Sequence, residues 1–113
     1  MRPDELYLHD ILAASLAIER FLARVDELRF HSDELLQAAV LQKLTVIGEA
    51  AARISRDFKQ QHTDVEWRTI VGLRNVAVHE YFAISWATIW STCTDDVPVL
   101  RSQIETALRK SDP

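Results

Sequence analysis

DELLQAAVLQKLTVIGEAAARISRDF, residues 33–58, is the stretch that decides the fold class. Leu36, Val40, Leu44, Ile47, Ala51, Ile54 and Phe58 recur every three or four residues, the period of one helix face. Ser32 or Asp33 is placed to cap the start, and the acidic Asp33-Glu34 pair suits the positive end of a helix. Leu35, Ala39, Val46 and Ala50 widen the apolar stripe, and a stripe that wide faces more than one neighbour. Either both sides pack within the chain, or one side packs within it and the other meets a partner subunit. Ala38, Ala39, Gly48, Ala50, Ala51 and Ala52 would let another helix approach closely.

Similar patterns extend in both directions. Leu8, Ile11, Leu12, Ser15, Ile18, Leu22 and Val25 predict a first helix, capped by Asp4 and running to about Arg29, with a break near Phe30-His31. After a polar connection at 59–63, Thr63 or Asp64 starts a third helix carrying Trp67, Ile70, Val71 and Leu73, which frays near Val78-His79. Ser85 reads as the N-cap of a fourth helix, Trp86 to about Thr94. Pro98 suits the first turn of a fifth, with Val99, Leu100, Ile104 and Leu108 as its stripe. The last two are alternatively one kinked helix. With 2 glycines and 3 prolines in 113 residues, the expectation is one all-α domain over residues 1–113. Its architecture is an antiparallel bundle of four to five helices. A core this small also gains from the burial that a homodimer supplies.

Several function classes are disfavoured. A net charge of −4 argues against broad, non-specific nucleic-acid binding, so any RNA contact must be local or shared between two subunits. Cys93 stands alone, with no disulfide partner and no histidine near it in sequence, and reads as a small apolar residue. There is no His-Glu-x-x-His, no paired cysteine and no acidic calcium loop, so no metal is expected. His9, His31 and His62 read as surface or connection residues. No phosphate loop or nucleophile turn is present, and no cofactor is expected. Met1-Arg2-Pro3-Asp4-Glu5 leads straight into amphipathic sequence, and no apolar run is read as approaching the ~18 residues that span a bilayer. The expected compartment is the cytoplasm, with no membrane partner.

What remains is Arg74-Asn75-x-x-x-His79-x-Tyr81. Arg74 is a permanently charged, forked donor suited to phosphate. His79 exchanges a proton near neutral pH. The amide of Asn75 can orient a phosphate or hydroxyl, and the phenol of Tyr81 can stack on a base or donate a hydrogen bond. Such a set can cut RNA without a metal. His79 would deprotonate a ribose 2′-hydroxyl or protonate the leaving oxygen, while Arg74 stabilises the charge building on phosphate. Five residues on an ideal helix set two side chains about 140° apart. The pair therefore converges only if the helix ends between them, or if two copies meet across a twofold axis. On spacing alone, the same residues also read as a salt bridge from Arg74 to Glu49 or Glu80 and a helix-ending cap at His79.

These residues resemble the HEPN superfamily, and within it the HepT branch. Leu41 through Ala51 is similar to that branch's second-helix signature, centred on Ile-Gly-Glu-Ala. Trp67-Arg68-Thr69-Ile70-Val71-Gly72-Leu73-Arg74-Asn75 resembles its Trp-x-x-Ile-x-Gly-x-Arg-Asn stretch, and His79-Glu80-Tyr81-Phe82 with Trp86 and Trp90 fits the branch's next turn and helix. Leu73 replaces a frequent Met and Ser85 a frequent Asp, both conservative exchanges. The likeness covers nearly the whole chain. It implies a homodimeric helical bundle in which Arg-x4-His motifs from two subunits line one cleft. It further implies a metal-independent endoribonuclease toxin with catalytic Arg74 and His79 and with Asn75 touching substrate. The implied partner is a minimal nucleotidyltransferase antitoxin of the MntA type, which transfers AMP from ATP to Tyr81. A competing expectation is a non-catalytic nucleotide- or partner-binding subunit of such a nucleotidyltransferase. Glu49 reads as a structural partner of Arg74 or Arg53 or as a group that tunes His79, Gly48 as a close-packing position, and the tryptophans as core or interface anchors.

Overall fold

Apolar stripes at helical spacing lead the chain into helices throughout. A computed structural model describes residues 2–76 and 84–111, and no strand occurs among the described residues. The order is α1 (Asp4–Leu22), α2 (Glu27–Ser32), α3 (Glu34–Arg53), α4 (Arg56–Gln61), α5 (Trp67–Gly72), a 3-10 turn (Leu73–Asn75), α6 (Trp86–Ser91), a π turn (Thr92–Asp96) and α7 (Val97–Ser111). The protein is an all-α helical bundle.

The bundle centres on α3, which packs against α1, α2, α5 and the 3-10 turn. Val40, Leu44, Ile47 and Ala51 of α3 are fully buried with Ile11 and Ile18 of α1, Phe30 of α2 and Ile104 of α7. Each large side chain buried this way contributes roughly 1.5–3 kcal/mol. The intrachain reading of the wide stripe therefore holds for most of it. Leu35 departs from it, lying 82% exposed at the start of α3, and Val46 is only partly buried. By length and composition α3 is apolar enough to cross a membrane, contrary to the expectation of no such run. Its alanines, leucines and branched residues raise its hydropathy, while its large apolar groups fill the bundle centre.

Three helix boundaries differ from expectation, each for a local reason. First, α1 stops at Leu22 rather than Arg29. Arg24 adopts φ 64°, in the left-handed region, and Asp26 then caps α2 by accepting from Arg29 N at 2.8 Å. Phe30 and His31 thus lie inside α2. Second, α3 ends at Arg53, because Ser55 caps a new helix through Phe58 N at 3.1 Å. Third, α5 begins at Trp67, not at Thr63 or Asp64. Turns from His62 and buried Val65 precede it.

Capping explains much of the remaining geometry. Asp33 accepts from Leu36 N at 3.0 Å, settling the choice between Ser32 and Asp33. Asp4 does not cap its own helix, whose N-cap is Pro3. Its carboxylate instead accepts from Ser55 N at 2.9 Å and Ser55 Oγ at 2.6 Å, satisfying the open amide end of α4. Ser85 caps α6 as expected. The helix from Trp86 continues through the π turn into α7, the kinked alternative. Pro98 supplies the cause. It lacks an N–H, and its ring would meet the carbonyl four residues back, so the helix widens just before it, with Val97 N donating to Thr92 O.

Candidate functional site

Arg74 and Asn75 sit in the 3-10 turn that follows α5, where the chain tightens. Ile70, Val71, Leu73 and Val76 pack against the core and hold this segment down on α3. With the apolar side committed, Arg74 and Asn75 are left exposed. Among the described residues the Arg74 side chain makes no ion pair and no hydrogen bond. Neither the expected Glu49–Arg74 pair nor a Glu49–Arg53 pair is formed, and Glu49 is exposed. Glu80, His79 and Tyr81 lie outside the described residues, and the convergence of His79 on Arg74 lies there with them.

Gly48 explains how the turn comes so close to α3. A Cβ built there would meet the backbone N of Arg74, its Cα at 2.8 Å and its Cβ at 2.9 Å. The second-helix signature and the arginine motif are thus one contact. The sequence marks Gly48 as a close-packing position but does not say which segment crosses it.

Two cavities flank the other side of the turn. One, of about 210 Å³, is lined by Leu73, Val76, Ile84, Ser85, Thr88, Ile89 and Thr92. Another, of about 280 Å³, lies between α5 and the π turn, with Asp64, Glu66 and Asp96 in its wall over Ile70, Leu73 and Leu100. Three carboxylates disfavour a phosphate there. The exposed guanidinium of Arg74 is the better match for a polyanion.

Other candidates have structural duties. Trp67 is buried and its indole donates to His62 O at 2.9 Å, while Trp86 and Trp90 pack on Phe30 with centroids 5.9 and 5.5 Å away. They act as core anchors, as read from sequence. His9 is an exposed helix residue. His31 pairs with Glu27 within α2 rather than lying in a connection. His62 ends α4 and stacks on Phe58 at 4.0 Å. Cys93 is buried, and desolvation pushes its thiol up to about 12. It is no nucleophile at neutral pH. No group of three or more metal-ligating side chains occurs among the described residues.

Comparison with known proteins adds to this geometry. A family model described as HepT-like, "Ribonuclease HepT-like", matches residues 11–107. The chain is 36% identical over 104 residues to "Probable ribonuclease HepT" of Thermococcus cleftensis, covering 92% of this chain and 94% of that protein. It is 33% identical over 104 residues to "Putative RNase MJ1380" of Methanocaldococcus jannaschii, covering 92% and 95%. A third relative, "Putative RNase TTE0752" of Caldanaerobacter subterraneus subsp. tengcongensis, is 32% identical over 113 residues, covering 97% and 98%. No solved structure gives a significant match.

Proposed function

Since the chain belongs to the HepT-like ribonuclease family, we propose that it is a metal-independent endoribonuclease toxin whose reacting groups are Arg74 and His79. The observation that carries this reading is the exposed guanidinium of Arg74, held in the 3-10 turn after α5 without a partner among the described residues. A surface arginine engaged in a salt bridge would be spent on structure. No described residue engages this one, which supports its use for a phosphate.

The chemistry follows from the residue types. His79 takes the proton from a ribose 2′-hydroxyl, and the oxygen attacks the neighbouring phosphorus. The bond to the 5′-oxygen breaks, and that oxygen leaves with a proton from water or from a second histidine. The products are a 2′,3′-cyclic phosphate and a 5′-hydroxyl. Arg74 stabilises the extra negative charge on the phosphate oxygens in the transition state, and Asn75 orients the phosphate. His79 moves the proton and Arg74 stabilises the charge, so cleavage is expected to proceed in EDTA.

A homodimer brings two such motifs to one cleft, which meets the geometric need raised by their five-residue spacing. Control comes from a nucleotidyltransferase antitoxin. The phenol oxygen of Tyr81 attacks the α-phosphorus of ATP, its proton passes to solvent, AMP is added and pyrophosphate leaves. The added phosphate is negative and bulky beside Arg74, and it competes with RNA for the same guanidinium. The family resemblance supports this regulation.

The test uses purified protein, synthetic RNA and EDTA. The expected result is cleavage to 5′-hydroxyl ends by wild type, and none by a folded His79→Ala variant. Cleavage that persists in that variant rejects the assignment. No cleavage by unmodified wild type, with tight binding to the nucleotidyltransferase, would instead favour the non-catalytic subunit. Incubation with partner and ATP should add the mass of AMP to the Tyr81 peptide, and equal modification of Tyr81→Phe would exclude Tyr81.

A further inference from the structure

We propose that Gly48 is a positioning residue for Arg74, fixing the guanidinium by admitting the arginine's own backbone onto α3. The inference rests on Arg74 being the cation that binds the RNA phosphate. The chain has only 2 glycines, and the two differ in their surroundings. A Cβ on Gly72 meets nothing within 4 Å, whereas one on Gly48 meets the N, Cα and Cβ of Arg74. Two of those three atoms are main chain and cannot swing aside as a side-chain tip would. Gly48 also lies well inside a 20-residue helix, where glycine is unfavourable without a reason for it.

The α3 side of the contact has no room to adjust. On α3, Ile47 and Ala51 are fully buried on either side of Gly48, so the helix is locked in the core. Arg74 has no hydrogen bond or ion pair among the described residues to guide its side chain. The point from which its side chain leaves is therefore set by the backbone alone, and that backbone crosses α3 at Gly48. A methyl group at position 48 would lift the 3-10 turn and carry the guanidinium with it. Displacements on the order of 1 Å cost roughly a hundredfold in rate when a charge-stabilising group is misplaced.

The experiment compares wild type, Arg74→Ala, Gly48→Ala, the double variant and Gly72→Ala as the control. Cleavage is measured in EDTA, and binding of a 2′-O-methyl RNA, which cannot be cut, is measured against salt. Gly48→Ala is expected to cut about a hundredfold more slowly. The slope of log affinity against log salt should fall by about 0.7, the share of one single-strand phosphate contact. Arg74→Ala should lose the same slope, and the double variant no more. Gly72→Ala should behave as wild type.

A Gly48→Ala protein that cuts RNA within about threefold of wild type overturns the proposal, since the expected loss is far larger. So does an unchanged salt slope, or a further slope loss in the double variant, because damage unrelated to Arg74 adds independently. Should Gly48→Ala not fold, wild type still decides: an NMR cross-peak between the Gly48 Hα and the Arg74 amide proton is expected, and its absence rejects the crossing. Wild type that binds but does not cut RNA would refute the ribonuclease reading alone, leaving the salt slope to judge Gly48.

Discussion

Arg74 shows how a side chain becomes available for chemistry by being left out of the packing around it. Leu73 and Val76 take the contacts with the core, and the arginine between them faces water. Sequence pattern identifies this residue and its chemistry, but not its lack of a partner among the described residues. Glu49 is one residue from the contact point in α3 and still does not pair with it. Cys93 makes the opposite case. Its isolation in sequence already argues against a nucleophile, and burial with a thiol pushed up to about 12 gives the physical cause. The sign is plain: the neutral form dominates at every pH below that value, so thiol ionisation adds no pH dependence near neutrality. Cys93→Ala should keep full RNA cleavage, and iodoacetamide should label the folded protein far more slowly than the urea-unfolded chain. Fast labelling of native protein would contradict the burial.

At the scale of helices, long stripes and the caps at Asp33 and Ser85 were readable, but the stops of α1 and α3 were not. The core positions of α3 follow its three-and-four spacing from Val40 to Ala51. The stop at Leu22 has no such signal, since Ala23-Arg24-Val25 holds neither glycine nor proline and Val25 even continues the period. The stop at Arg53 depends on Asp4, 51 residues away from Ser55, which local pattern cannot reveal. Asp4→Ala should therefore destabilise the protein by about 1 kcal/mol, as loss of a cap does. Because both act at the start of α4, Asp4→Ala and Ser55→Ala should be less than additive in urea unfolding. Simple addition would mean that the two groups are not one cap. In the centre of α3, Ile47→Ala removes a fully buried side chain and should cost about 2–5 kcal/mol. A loss below about 1 kcal/mol, measured the same way, would place Ile47 outside the core.

For the whole molecule, the all-α class, the single bundle and the family were legible in three separated motifs. The bundle gives a reason for their coupling: the glycine of one lies under the arginine of the next. Histidine and tyrosine complete the motif outside the described residues, so their part rests on residue chemistry and family. The proposed dimer is tested by sedimentation equilibrium, where a mass near twice 13.0 kDa is expected at micromolar concentration. A strictly monomeric protein that still cuts RNA would rule out the shared cleft. The central claim is cleavage by Arg74 and His79 without metal, and one measurement reaches it most directly. Wild type and a folded His79→Ala variant are incubated with RNA in EDTA, and the products are separated by size. Wild type should yield cut RNA with 5′-hydroxyl ends and the variant should leave the RNA intact; equal cleavage by both would contradict the claim.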